Sequence, residues 1–245
     1  MNAETPARRV VRVRHELRRR DVEVADVSQP SPGFVAVTFA GDALADFVSE
    51  SFDDHVKFLI DDGSGGVVGR DYTPRRFSRE QRRLTIEFAM HGDGPADRWA
   101  RQARVGQRVT IGGPRGSMII PSDYDWHLLV GDTSALPAIA RRLEELPAGA
   151  RAHVLVQADE ADRRMFASRA DVTLGWVNTG DDLLAALATL PLPAGEGFAW
   201  AAGEASIMGR LRQLLLEEKR HPKQAMRVAA YWKRGAVAHH QNLDD

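Results

Sequence analysis

The sequence predicts a chain of two unlike halves, an antiparallel β-barrel followed by a Rossmann-like α/β domain. Up to about residue 122, apolar residues alternate in short runs separated by Gly- and Pro-rich turns, with little helix. That pattern is typical of a small barrel. Beyond it, strand-like and helix-like runs alternate, which is typical of a parallel sheet covered by helices. We therefore predict domains at residues 1–122 and 123–245, with the segment PSDYD (121–125) at the seam.

The predicted barrel contains five strands and one helix. Turns such as QPSPG and DDGSGG separate the alternating runs. The strands are expected at 22–28, 34–40, 55–60, 82–91 and 107–113, and the helix at 94–103. Residues 1–20 are rich in arginine. We expect a flexible, solvated leader there, with a transit peptide or an anion-binding arm as the alternatives.

The second half repeats a strand-then-helix order. Strands are expected at 126–132, 152–159, 171–178, 197–203 and 226–232, and helices at 134–146, 181–190 and 205–219. In an open α/β sheet, ligands bind beyond the carboxyl ends of the strands. The barrel can supply the other wall of such a crevice. We therefore expect the functional site between the two halves.

Composition and charge exclude several classes of protein and site. A net charge of −1 gives no general attraction to nucleic acid or to membranes. The absence of cysteine excludes disulfides, thiolate metal sites and a catalytic thiol. No apolar run approaches the roughly 20 residues that span a bilayer, the N-terminus lacks the apolar core of a signal peptide, and no spacing of His, Asp and Glu indicates a metal site. We expect a cytoplasmic monomer.

The segment RDYTPRRFS (70–78) places a cation, an aromatic ring and a hydroxyl close together, in Arg70, Tyr72 and Thr73. A flat heteroaromatic ligand with a phosphate tail needs a ring to stack on, a donor for its edge and a cation for its phosphate. An edge strand with solvated arginines explains the same spacing. The residues alone leave both interpretations open.

Three further segments have the composition of ligand contacts. HGDGPADRWA (91–100) begins a helix with Gly and Pro, which suits a diphosphate or an ordinary turn. GGPRGSM (112–118) is either a second phosphate contact or the bend that ends the barrel. LLVGDTSALP (128–137) is a strand, a turn and a helix, but Gly131 is its single glycine, so the dinucleotide fingerprint G-x-G-x-x-G is absent.

Taken together, these segments resemble those of a known family. RDYTPRRF resembles the R-x-Y-T flavin motif of the ferredoxin–NADP reductase superfamily. The chain also contains DDHVK (53–57), HGDGPADRWA, GGPRGS, DWHLLVGDTSALPAIARRLEELPAG, WAAGEAS and YWKRG. With these it is similar to the siderophore-interacting proteins, which are FAD-dependent ferric-siderophore reductases. The resemblance implies a barrel that binds FAD and a Rossmann-like domain that binds NADPH or NADH.

The resemblance also implies roles for individual residues. Those implied to contact the cofactors are Arg70, Tyr72, Thr73, His91, Gly94, Pro95, Ala96, Gly116, Ser117, Asp132, Thr133, Ser134, Ala135 and Trp232. Those implied to attract an anionic ferric chelate are Lys57, Lys233 and Arg234. No side chain is implied as a catalytic acid, base or nucleophile, because the flavin carries the redox step.

Two departures from the family pattern leave the electron donor open. Thr133 stands where the family usually has Glu, in the segment GDET. Asn178 and Thr179 follow the third α/β strand, where basic residues are frequent in the family. Fewer cations there weaken the expected contact with the 2′-phosphate of NADPH. The donor is NADPH, NADH or a reduced ferredoxin, and the alternative phosphate partners are Arg141, Arg142, Arg163 and Arg164.

The expected function is the reduction of chelated Fe(III) to Fe(II), which weakens the chelate and releases the iron. A positive rim should attract a negative ferric catecholate. Two alternatives remain at this stage. One is an NAD(P)H:flavin or quinone oxidoreductase of the same superfamily, and the other is a flavoprotein that binds a siderophore without turnover.

Overall fold

The computed structural model describes residues 9–61, 65–90, 92, 94–235 and 241–242. It contains a seven-stranded antiparallel sheet, a two-stranded sheet, and a six-stranded sheet that is parallel except at one edge. The fold class predicted from the sequence, a β-barrel followed by an α/β domain, is confirmed. The predicted boundary at residues 122 and 123 falls in the connection between the last barrel strand and the first strand of the parallel sheet.

Nine strands and one α-helix lie among the described residues of the first half. They are β1 (Val11–Arg14), β2 (Arg19–Ser31), β3 (Phe34–Ala40), β4 (Val56–Asp61), β5 (Val67–Tyr72), β6 (Arg76–Ser78), β7 (Arg83–Ala89), α1 (Pro95–Arg101), β8 (Arg108–Gly112) and β9 (Gly116–Ile119). The large sheet has the order β5-β4-β8-β2-β3-β7-β6, and β1 pairs with β9. Alternate residues of its strands face a core of aromatic rings that includes Phe39, Phe58 and Phe88.

The second half alternates strands and helices as expected. Its elements are β10 (Trp126–Gly131), α2 (Leu136–Glu145), β11 (Arg151–Gln157), β12 (Asp171–Val177), α3 (Gly180–Thr189), β13 (Gly197–Glu204), α4 (Ala205–Gln213), β14 (Met226–Trp232) and β15 (Gln241–Asn242). The strand order is β12-β11-β10-β13-β14-β15. Every residue of the central strand β10 is buried, because helices cover both faces of the sheet. The carboxyl ends of β10, β13 and β14 therefore share one edge.

Two arginines of helix α2 fasten the α/β domain to the barrel. Arg141 donates hydrogen bonds to the Ser49 hydroxyl at 2.8 Å and to the Pro74 carbonyl at 3.0 Å. Arg142 donates to the Pro121 carbonyl at 2.6 Å. Both guanidinium groups are buried, so each needs these acceptors to offset its lost hydration. Both arginines therefore form contacts between the two domains.

Further ion pairs join the domains at other points. Arg75 of the barrel forms a bidentate contact with Glu144 of α2, with nitrogen–oxygen distances of 2.7 and 2.8 Å. Those hydrogen bonds hold the pKa of Glu144 at about 2. Arg164 donates to Glu87 of β7 at 2.6 Å.

At the N-terminal end of the described chain, Arg9 pairs with Asp123 and with Glu196. Part of the arginine-rich start therefore packs against the α/β domain.

Buried His127 makes the stability of the fold sensitive to acid. Its side chain on β10 is 1% exposed, and burial, with the charge of Arg142, lowers its pKa to about 4 from an ordinary 6.5. As pH falls through this window, the unfolded chain takes up the proton first. The free energy of unfolding should therefore decrease between about pH 6.5 and 4, by on the order of 3 kcal/mol.

Urea unfolding at pH 7, 5.5 and 4.5 measures this effect, and His127→Gln should remove most of it. A residual slope is expected because burial also lowers the pKa of His153 and His221. If His127→Gln and the parent protein lose stability in parallel down to pH 4.5, the assignment to His127 is wrong.

Candidate functional site

A cleft of about 570 Å³ lies between the barrel and the carboxyl edge of the parallel sheet. The barrel contributes most of its lining, from β4, β5, β7 and the start of α1. The α/β domain contributes the residues that follow β10 and those that end β14. The lining residues are His55, Lys57, Gly69, Arg70, Asp71, Tyr72, Thr73, Glu87, Ala89, Gly94, Pro95, Ala96, Asp97, Ser134, Pro137, Tyr231 and Trp232.

Tyr72 presents a fixed aromatic ring to the cleft. It is the last residue of β5, and its ring packs on Phe88 with centroids 4.4 Å apart and edge-on to Phe58 at 6.1 Å. Burial raises the pKa of the Tyr72 hydroxyl well above its usual value. The hydroxyl therefore stays protonated at all physiological pH values and can donate a hydrogen bond. The rings behind Tyr72 restrict its rotamer, as stacking on a planar ligand requires.

Arg70 and Thr73 lie beside Tyr72 in the lining. Arg70 and Tyr72 share one face of β5 because side chains alternate along a strand. Thr73 follows the last strand residue, where the alternation ends, and it also lines the cleft. Arg70 donates to the carbonyl of Gly69 at 3.0 Å. The structure thus brings together the cation, ring and hydroxyl that the sequence segment suggested.

Gly94, Pro95 and Ala96 line the cleft where α1 begins. Gly94 has no side chain and is exposed, so its backbone is accessible to a ligand. Asp97 of the same helix also lines the cleft, and the sequence analysis did not identify it. His91, implied as a cofactor contact, lies outside the described residues.

Asp132 shapes the α/β wall of the cleft. Its Oδ1 accepts from the Ser134 N–H at 2.9 Å, and its Oδ2 accepts from the Trp232 indole at 2.8 Å and the Glu204 N–H at 2.9 Å. Asp132 is itself buried. Ser134 is the residue of the segment 132–135 that lines the cleft. Asp132 does not line it but holds Ser134 and Trp232 in place through these hydrogen bonds.

The turn after β10 needs its glycine. A Cβ on Gly131 would lie 2.4 Å from the Cβ of Ala135 and 2.5 Å from the Ala202 carbonyl. Ala135 is fully buried, and Thr133 is half-buried. Neither lines the cleft. These residues pack the turn that places Ser134.

Asp53 forms a buried node behind the cleft that the sequence analysis did not single out. Its carboxylate accepts from the Trp200 indole at 2.9 Å, the Arg227 guanidinium at 2.5 Å and the Tyr231 hydroxyl at 3.2 Å. Asp53 belongs to the barrel and its three donors to the α/β domain. This node fixes the end of β14, where Tyr231 and Trp232 face the cleft. The first Asp of the segment DDHVK, quoted for the resemblance, is the signal that could have identified it.

Besides Asp132, Thr133 and Ala135, four more residues implied by the resemblance lie away from the cleft lining. Gly116 is on β9, where a Cβ would lie 2.3 Å from the Val13 carbonyl. Ser117 is buried and donates to Asp54 at 2.6 Å. Lys233 and Arg234 are exposed just beyond Trp232. The structure therefore unites Lys57, Arg70, Tyr72, Thr73, Gly94, Pro95, Ala96, Ser134 and Trp232 in one site.

The sequence reasoning also missed several lining residues for a clear reason. Glu87 and Ala89 face the cleft from β7, and Asp71 faces it from β5. Because side chains alternate along a strand, residues 87 and 89 share one face of β7, but the sequence does not indicate that this face meets the other domain.

Among the described residues, no group of three or more His, Asp or Glu is arranged to hold a metal ion. No helix in the described part of the chain is long and apolar enough to cross a membrane.

Comparison with known proteins gives consistent matches. Residues 61–118 match the siderophore-interacting FAD-binding domain, and residues 124–235 match the siderophore-interacting protein domain. The chain is 34% identical to the NADPH-dependent ferric-chelate reductase of Escherichia coli, over 90% of this chain and 95% of that protein. It is 29% identical to the ferric vibriobactin reductase of Vibrio cholerae, over 84% and 86%. The crystal structure of a siderophore utilization protein from T. fusca superposes with a TM-score of 0.83, at 35% identity over 94% of this chain and 98% of that one.

Proposed function

The chain belongs to the siderophore-interacting protein family, and from that premise we propose that it is an FAD-dependent ferric-siderophore reductase. The observation that carries the proposal is the shared cleft. One wall presents the ring of Tyr72 with Arg70 and Thr73, and the other presents the turn after β10 and the end of β14. A cofactor and its electron donor can approach one another there, while the mouth stays open to a bulky substrate.

The residues present fit a flavin nucleotide. The Tyr72 ring packs against Phe88 with centroids 4.4 Å apart, Arg70 supplies a cation for a diphosphate, and Gly94 leaves backbone accessible. Tyr72, Thr73, Arg70 and the segment 94–96 would hold FAD. When bound, FAD supplies the exchange between a two-electron hydride donor and a one-electron ferric acceptor. The protein itself orients, excludes water and donates hydrogen bonds from groups that stay protonated.

Three of the four arginines considered for the donor's 2′-phosphate are occupied elsewhere. Arg141, Arg142 and Arg164 join the domains. Arg163 instead donates to the Asn178 side chain at 2.6 Å, next to the end of β12, where the family pattern has basic residues. The Arg163 guanidinium therefore supplies a positive charge beside the end of β12. This supports NADPH as the donor, over NADH or a ferredoxin.

Anaerobic reduction of the FAD-loaded protein tests the proposal. NADPH should bleach the flavin absorbance, and addition of a ferric siderophore should restore it while a ferrous chelator develops its colour. Reoxidation by quinone or free flavin with no ferrous product would favour a general oxidoreductase. A yellow protein that no donor bleaches would favour a binding protein. Reduced ferredoxin and NADH serve as the comparison donors.

Location and assembly are part of the same proposal. Release of iron from an imported ferric siderophore is useful inside the cell, so we place the activity in the cytoplasm and expect a monomer. Size-exclusion chromatography with light scattering checks the oligomeric state directly.

A further inference from the structure

Lys57 and Asp71 form a cross-strand ion pair at the cleft. They are directly opposite one another on antiparallel strands β4 and β5. The Lys57 ammonium nitrogen lies 2.8 Å from both carboxylate oxygens and donates its hydrogen bond to Oδ2. The Lys57 side chain is 47% exposed, and that of Asp71 is 19% exposed. Both line the cleft, so a ligand that meets Lys57 also meets its counter-charge.

The neighbouring positions are built to hold Lys57 in this pose. A Cβ on Gly69 would lie 2.6 Å from the Lys57 Cδ, so the lysine stem runs flat across Gly69 toward Asp71. On its other side, Lys57 is paired with Gly112 of β8. Lys57 therefore lies in a trough between two residues without side chains. A larger residue at Gly69 would push the lysine stem, and with it the ammonium, away from Asp71, whereas a Cβ at Gly112 would lie 3.7 Å from the Lys57 Cβ, an ordinary contact.

The other charges of the cleft do not restore a strongly positive surface. Glu87 is paired with Arg75 and Arg164. The lining adds a further carboxylate, Asp97, and the diphosphate of bound FAD would engage Arg70.

Beyond the lining, Lys233 and Arg234 are exposed. Salt screens exposed charges of that kind over roughly 10 Å. The electrostatic attraction of this cleft for a highly charged anion is therefore weak.

We propose that Asp71 is a specificity-determining residue: by neutralising Lys57, it adapts the cleft to ferric chelates of little or no net charge. A neutral tris-hydroxamate complex fits this surface better than a tris-catecholate complex, which carries three negative charges. The inference rests on the proposed function and names the substrate class of the same cleft. It also revises the sequence-based expectation that a positive rim draws in a ferric catecholate.

Binding of redox-inert Ga(III) chelates tests the proposal without turnover. FAD-loaded parent protein and Asp71→Asn are titrated calorimetrically with a Ga(III) tris-hydroxamate and a Ga(III) tris-catecholate at about 0.1 M salt. The parent should bind the neutral chelate more tightly. In Asp71→Asn, the ratio of catecholate affinity to hydroxamate affinity should rise about threefold to tenfold, because one repelling charge near a trianion is gone. The rise should shrink as salt is increased.

Two further variants make the test specific. Asp61→Asn changes the net charge equally on the same face of β4, about 13 Å further along the strand, and should shift the ratio by less than about 1.5-fold. Lys57→Met leaves Asp71 without its lysine and should shift the ratio the opposite way. An unchanged ratio in Asp71→Asn, or an equal shift in Asp61→Asn, would overturn this inference alone. No binding of either chelate to the parent would overturn it together with the proposed function.

Discussion

Replacing Tyr72 by alanine should lower the affinity of the protein for FAD by about tenfold to a hundredfold. The substitution removes a ring that can stack on the flavin, a contribution of about 1–3 kcal/mol for an aromatic face on a planar heterocycle. It also opens the space in front of Phe88, against which the ring packs at 4.4 Å. Titration of the apoprotein with FAD, followed by the quenching of flavin fluorescence, measures the change.

Tyr72→Phe is the matched control, because it keeps the ring and removes only the hydroxyl. It should retain most of the FAD affinity and lose at most the single hydrogen bond that the protonated hydroxyl can donate, about 1 kcal/mol. If Tyr72→Ala binds FAD as tightly as Tyr72→Phe, the ring does not hold the cofactor and the cleft does not bind flavin in the way proposed.

Replacing Asp53 by asparagine should be the most destabilising single change in the chain that we identify. The carboxylate accepts from Trp200, Arg227 and Tyr231 across the domain interface, and its side chain is 3% exposed. An amide there leaves the buried Arg227 guanidinium facing a neutral group. The expected loss is about 3–5 kcal/mol, which lowers Tm by roughly 10 °C for a chain of this size.

Asp123→Asn serves as the control for Asp53→Asn. Asp123 also pairs with an arginine, Arg9, but its side chain is 73% exposed, so the loss should stay below about 1 kcal/mol. A double variant that replaces Asp53 and Arg227 together by methionine should recover part of the loss, because no buried charge is then left alone. Equal Tm values for Asp53→Asn and Asp123→Asn would contradict the role of this node.

Most of the fold could be predicted from the sequence because its elements have strong periodicity. β10 and β13 are nearly continuous buried runs, and β2, β3 and β7 alternate in the expected way. The missed strands β1, β5, β6, β9 and β15 are short or interrupted: β6 has three residues, β15 has two, and β5 contains Gly69 and Arg70. β1 and β9 pair with each other from distant parts of the chain, which local pattern does not report, whereas β5 and β6 pair with their chain neighbours β4 and β7 but lack a clear alternating run of their own.

The candidate site was predictable only in part, for a similar reason. Motif resemblance found Arg70, Tyr72 and Thr73, which share the end of one strand. It did not find Glu87 or Asp71, since their place in the cleft follows from how two domains pack. The four arginines considered for phosphate binding show the same limit: their sequence positions resemble one another, but Arg141 and Arg142 are buried and Arg163 is not.

The contacts of helix α2 with the barrel bear on protein engineering. Arg141 and Arg142 bind Ser49, Pro74 and Pro121, and Glu144 binds Arg75, so a single helix carries matched partners for several separate stretches of the barrel. A chimera that grafts the barrel of one homologue onto the C-terminal half of another would break these pairs unless both sides are exchanged together. The two halves should therefore diverge in evolution as a coupled unit, with compensating changes at α2 and its acceptors, rather than as interchangeable parts.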